Sequence, residues 1–156
     1  MKNRVATDKA EQNILNHIRD FGWSIMHIFD PESKQPAYSF SIGMFDTLNS
    51  PEIVIFSLER SNAQTIINDI GQKIKDGLKI EIGRKYDLFF KEPCVCAFVT
   101  VNKRHFPPYL GSAMWYYGGD DFQAFQCVWS DEKGILPWEP GFNTALNVSQ
   151  PLLNTA

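Results

Sequence analysis

Apolar positions along this 156-residue chain switch between two periods, and the switches divide it into elements. Ala10, Ile14, Leu15 and Ile18 follow the 3.6-residue spacing of an amphipathic helix over residues 8–20, with Thr7 placed to cap its start and Gly22 suited to the left-handed position beyond its end. The apolar run 23–29 predicts a strand. The polar turn 30–36 leads to a partner strand over 37–42, so a hairpin is the economical reading. Gly43 ends that strand, 46–51 is a loop, and the unbroken apolar run 52–58 predicts a central strand covered on both faces.

Ser61-Asn62-Ala63-Gln64 has the form of a capping box, because the serine hydroxyl and the glutamine amide can satisfy each other's backbone donors. It opens a helix with Ala63, Ile66, Ile67, Ile70 and Ile74 on one face, and Gly77 stops it. Leu78, Ile80 and Ile82 alternate with Lys79 and Glu81, predicting a strand with one wet face. Residues 84–93 read as a loop, 94–101 as a further strand, Pro107-Pro108 as the start of a short helix reaching Tyr117, and 122–129 as the last strand before a turn-rich tail over 131–142. No repeat or linker interrupts the order α-β-β-β-α-β-β-α-β. It implies an α+β fold, a small twisted or barrel-like, mainly antiparallel sheet with about three helices packed on it. Whether the strand after the second helix runs parallel or antiparallel stays open at this level.

A hydrophobic content of 44% suits a single domain over 1–156, with 1–7 and 154–156 as flexible ends. Fifteen basic and 18 acidic side chains give a net charge of −3, which supplies no long-range attraction to nucleic acid or to a membrane surface. With no secretory signal pattern and no apolar run of membrane-spanning length, the expected location is cytoplasmic. Cys94, Cys96 and Cys127 form an odd set without a C-x-x-C pair, so free thiols are expected. His17, His27 and His105 show no metal-ligand spacing, and no nucleophile, P-loop or dinucleotide motif is present. No catalytic residue, metal ligand or cofactor is therefore assigned. His27, between Met26 and Ile28, reads as a hydrogen-bonded core histidine.

Residues 115–142 are the densest aromatic stretch, holding Trp115, Tyr116, Tyr117, Phe122, Phe125, Trp129, Trp138 and Phe142. Phe125, Cys127 and Trp129 alternate onto one face, which suits a core strand. Tyr116, Tyr117, Asp120, Asp121, Trp138 and Glu139 have the make-up of a protein-binding surface, with aromatic anchors beside carboxylates and the flexible Gly118-Gly119. The expectation is a small binding protein, such as an immunity-type protein that neutralises a basic toxin domain.

Gly22-Trp23, Tyr38-Ser39-Phe40-Ser41-Ile42-Gly43, Pro51-Glu52-Ile53-Val54, Trp129-Ser130-Asp131, Gly134, Pro137-Trp138-Glu139 and Gln150-Pro151-Leu152 together resemble the bacterial domain-of-unknown-function family 4262, over about residues 8–153. The family strand reads threonine-isoleucine-glycine-leucine where this chain has Ser41-Ile42-Gly43-Met44. The resemblance implies no catalytic residues. Residues 38–77 also resemble the split β-barrels of flavin reductases and pyridoxamine-phosphate-oxidase-type proteins. That likeness implies an alternative, a flavin- or other small-molecule-binding enzyme or sensor using FMN, with phosphate contacts at Ser39, Ser41, Arg84 and Lys85.

Overall fold

Two apolar clusters on opposite faces of one sheet organise the chain, which the computed structural model describes over residues 5–32, 34–146 and 149–155. The elements are α1 (Lys9–Phe21), β1 (Ser24–Ile28), β2 (Tyr38–Ile42), α2 (Met44–Leu48), β3 (Glu52–Phe56), α3 (Arg60–Lys75), β4 (Cys96–Thr100), α4 (Phe106–Tyr109), α5 (Gly111–Tyr117) and β5 (Ala124–Trp129). The strands lie in the order β1-β2-β3-β5-β4. Among the described residues β3 and β5 alone pair in parallel, and the other three strand pairings are antiparallel. The sheet is open rather than closed, with β1 and β4 as its two edges.

β3 shows why its sequence is apolar from Ile53 to Phe56. Val54 and Phe56 face the cluster shared with Ile14 and Ile18 of α1 and with Leu110, Ala113 and Tyr116, whereas Ile53 and Ile55 face Ile66, Ile67 and Ile70 of α3. A central strand covered on both sides calls for apolar residues on both faces, and Glu52 at its start is the exception. Each fully buried Phe, such as Phe40, Phe56, Phe98, Phe106 and Phe122, contributes roughly 1.5–3 kcal/mol through removal from water. Phe125, Cys127 and Trp129 do share the α3 face, with Cys127 wholly buried and the two rings packed against that cluster.

Several elements depart from expectation for identifiable reasons. Asp8, not Thr7, caps α1: its carboxylate accepts from the Glu11 N–H at 2.8 Å, while Thr7 donates its own N–H and hydroxyl to the Glu11 carboxylate. α3 begins at Arg60, so Ser61 lies inside the helix and donates to Glu59 Oε1 at 2.7 Å instead of capping. Residues 46–51 are not all loop, because α2 occupies 44–48. The helix expected over 107–117 is two, broken at Leu110. Residues 78–82 form no ladder: Leu78 and Ile80 pack against the α3-side cluster while Ile82 is exposed. Half-burial alone produces a two-residue alternation. β4 starts at Cys96, leaving the half-buried Cys94 outside it, where its thiol donates to the Asp131 carbonyl oxygen. Among the described residues no helix is long and apolar enough to cross a membrane. Ser33, part of the expected polar turn, and residues 1–4 and 156 of the expected flexible ends lie outside the described residues.

Candidate functional site

A carboxylate buried at the start of β3 fixes the corner from which the site is built. Glu52 is wholly inaccessible, and five groups converge on it: the Ser41 hydroxyl at 2.7 Å, the N–H groups of Gly43, Met44 and Phe45 at 2.8, 3.2 and 3.2 Å, and the Tyr117 hydroxyl. Both hydroxyls have spare acceptor capacity filled from elsewhere, since Ser41 Oγ accepts from Ile53 N–H and Tyr117 Oη from Asp46 N–H. All five groups therefore donate to Glu52. Burial pushes the carboxyl up, and the hydrogen bonds from Tyr117, Ser41, Gly43 and Phe45 oppose it. Burial, followed by the charge of Glu52, raises the Tyr117 phenol as well. A lone Glu beside Pro51 in an otherwise apolar strand is the signal that could have revealed this network.

That network holds Gly43 against the α1–β1 turn. Gly43 has φ +117, and a Cβ there would lie 2.9 Å from the Gly22 carbonyl oxygen and 3.0 Å from Ile18 Cγ1, so only glycine fits. Thr47 donates its hydroxyl to the same Gly22 oxygen at 2.7 Å. β1 then leaves the corner along the edge of the sheet. Its inner side pairs with β2 from Ser24↔Ile42 to Ile28↔Tyr38. No described residue bonds to the backbone of its outer side, where alternate N–H and C=O groups of an edge strand point outward. Phe21 precedes β1 and Phe29 follows it, 71% and 72% exposed.

Alongside β1 lies a cleft of about 680 Å³, walled by His17, Phe21 and Ser24 on one side and by Gln64, Asn68 and Gln72 of α3 on the other. This is within the roughly 300–1,000 Å³ range of ligand-holding clefts. The Trp23 indole N–H donates to Asn68 Oδ1 at 3.0 Å, and its ring reaches the Gly71 backbone so closely that a Cβ at Gly71 would sit 2.7 Å from Trp23 Cζ2. His27, on the α3 side of β1, lies 2.7 Å through Nδ1 from Ser39 Oγ and 3.4 Å through Nε2 from Gln64 Oε1. Burial lowers the His27 pKa, against the Gln64 hydrogen bond and reinforced by the charge of Arg60. The neutral ring satisfies both partners, with Nδ1 accepting from Ser39 and Nε2 donating to Gln64. Ser39 is buried beneath the imidazole, and neither residue of the pair lines the cleft. A second pair, His17 Nδ1 with Ser24 Oγ at 3.1 Å, stands at the α1 wall.

The residues singled out from sequence fall elsewhere and do not come together. Tyr116 and Tyr117 are buried in the α1-side cluster and serve the core, not an exposed surface. The Tyr116 hydroxyl donates to Asp46 Oδ2 at 2.7 Å. Asp120 and Asp121 are exposed in the turn before β5. Trp138 is exposed and Glu139 half-buried in the loop after β5, where Glu139 pairs with Lys85 at 2.8 Å. The two carboxylate groups thus flank opposite ends of a strand roughly 17 Å long. Ser39 and Ser41 are buried and committed to His27 and Glu52, whereas Arg84 pairs with Glu81 at 3.0 Å and Lys85 with Glu139, beyond the β4 edge. Three strand spacings, about 14 Å, separate the strand of these serines from β4, and the basic doublet lies beyond it. Among the described residues no cluster of three or more His, Cys, Asp or Glu is arranged to hold a metal.

The chain matches the family model described as Domain of unknown function (DUF4262) over residues 17–143 and belongs to that family. The matched span includes both edges of the sheet, α3 and the cleft between α3 and β1. No curated protein and no solved structure matches the chain.

Proposed function

We propose that this member of the family is a protein-binding module that takes up an extended segment of a partner as an added strand on β1, beside α3. The carrying observation is the outer edge of β1, free of any described partner and bordered by a cleft and two exposed phenylalanines. A strand added there completes the outward backbone hydrogen bonds, and its alternate side chains enter the cleft. Phe21 and Phe29 are the apolar anchors at its ends. The free Cys94, Cys96 and Cys127 suit work in a reducing cytoplasm.

The narrower expectation of a basic toxin domain as partner draws on the net charge of −3. The cleft does not concentrate that charge, since Asp20 is paired with Arg19 at 2.9 Å and Lys75 shares the lining with Asp69. The site therefore supports strand addition without selecting a basic partner. The FMN alternative finds its four phosphate positions dispersed, as described above.

The test uses a random nonapeptide library displayed on phage and panned against the purified protein. Retained peptides are expected to bind the Phe21→Asp/Phe29→Asp double variant at least tenfold more weakly than the wild type. A wild type that retains no peptide, or retains peptides that bind the double variant equally, contradicts the proposal.

A further inference from the structure

The wall of the cleft facing β1 is a row of carboxamides. Gln64, Asn68 and Gln72 occupy positions i, i+4 and i+8 of α3, all exposed, so they repeat about every 6 Å along one line. Alternate residues of an extended strand repeat about every 6.6–6.8 Å. The row follows the edge: Gln64 lies against His27 at one end of β1, and Asn68 against Trp23 just before the other. One amide can therefore meet one cleft-facing side chain of an added strand.

The polarity of the first two amides is set by their neighbours. An indole N–H can only donate, so Trp23 fixes Asn68 with its oxygen inward and its NH₂ group outward. The His27 contact to Gln64 Oε1 leaves the Gln64 NH₂ free in the same sense. Gln72 differs, because its NH₂ donates to Asp76 Oδ1 at 3.1 Å along its own helix. Two adjacent donors, on residues about 6 Å apart along α3, thus line the cleft beside β1.

Resting on the strand-addition reading, we infer that Gln64 and Asn68 select a partner segment carrying hydrogen-bond acceptor side chains, those of Asp, Glu, Asn or Gln, at alternate positions. A segment with Lys or Arg at those positions would set donor against donor. An apolar segment would leave two amides desolvated and unpaired.

The decisive variant is Asn68→Asp. It is isosteric, keeps an oxygen for Trp23, and turns the outward donor into an acceptor. Wild type and variant are panned against the same displayed nonapeptide library, and thermal melting confirms that the exposed substitution leaves the fold intact. The wild-type pool should be enriched in acceptor side chains at alternate positions, and the variant pool in Lys and Arg. Selected peptides resynthesised with their Asp or Glu acceptors as side-chain methyl esters, uncharged acceptors that cannot donate, should bind the variant at least tenfold more weakly, which separates donor readout from charge repulsion. A wild-type pool without alternate acceptors, or uncharged-acceptor peptides bound equally by both proteins, overturns the inference. Strand addition itself still stands in that case if binding vanishes with Phe21→Asp/Phe29→Asp. A wild type that retains no peptide overturns both.

Discussion

The two edges of the sheet are treated in opposite ways. β4 is covered from Cys96 to Phe98: Tyr86 exchanges both backbone hydrogen bonds with Cys96 at 2.7 and 3.0 Å, and Gly83 N–H reaches the Phe98 carbonyl at 3.0 Å. The sealing segment is anchored in turn. The Tyr86 ring is buried against Phe98, its hydroxyl accepts from Glu81 N–H at 2.8 Å, and Lys85 bridges to Glu139 in the loop after β5. β1 has no such cover among the described residues. Unpaired strand edges template association, and proteins commonly blunt or cover them. The chain covers one edge with the segment 81–86 and flanks the other with the exposed Phe21 and Phe29, the contrast on which the proposed strand addition rests.

The largest way to break this contrast is to open the sealed edge. Tyr86→Ala removes a buried ring and the anchor of the covering segment, and should cost about 3–5 kcal/mol in denaturant unfolding. The remaining folded protein should also self-associate with concentration in light scattering, as a second bare edge appears. A variant that stays monomeric and melts with wild type would show that Tyr86 does not close the edge.

Next in size is the corner that sets the open edge. Glu52→Gln places an amide NH₂ among five inward-pointing donors and should destabilise by about 1–3 kcal/mol, with weaker peptide binding as the Gly43 contact loosens. An unchanged denaturation midpoint would mean that the donors readily reorient.

His27 on the open edge and Asp131 in the loop after β5 should titrate in different windows. Burial acting alone would raise the Asp131 carboxyl, but the N–H groups of Ile135, Asn143 and Lys133 outweigh it and hold it below its ordinary value of 3.8. A depressed carboxyl stabilises the fold fully above that value, and the contribution is lost as pH falls through the lower folded one. His27, depressed below 6.5, stabilises above 6.5 and loses its contribution as pH drops from there. Stability measured from pH 7 to 2 should therefore fall in two steps. His27→Gln should remove the upper step and Asp131→Asn the lower, and a gap from wild type that is constant with pH would contradict either assignment.

The smallest effect on stability belongs to Phe21→Asp/Phe29→Asp, expected within about 0.5 kcal/mol of wild type for each exposed position. A larger loss would place these rings in the core and remove them from the binding edge.

Much of this was readable from the chain, and the gaps have physical causes. The apolar residues Ile53 to Phe56 correctly implied a strand covered on both faces, which ends at Phe56 rather than at residue 58, and the period of Ala63, Ile66, Ile67 and Ile70 implied a helix on the sheet. The 78–82 alternation misled because one-sided burial leaves the same pattern whether or not a ladder forms. Aromatic density drew attention to Tyr116 and Tyr117, yet large rings report burial as readily as recognition. The row Gln64, Asn68, Gln72 is visible in the sequence, where it reads as a solvated helix face. Only the strand order, which places β1 at an edge with α3 alongside, gives it a possible partner.

Amide hydrogen exchange across the two edges, with and without a selected nonapeptide, tests the central claim most directly. In the free protein the outward amides of Ser24–Ile28 should exchange rapidly while the Cys96 amide, bonded to the Tyr86 carbonyl, approaches the protection of global unfolding, and the peptide should slow the former without altering the latter. Outward β1 amides already protected as strongly as that of Cys96 in the free protein, or left unprotected when peptide is bound, would contradict it.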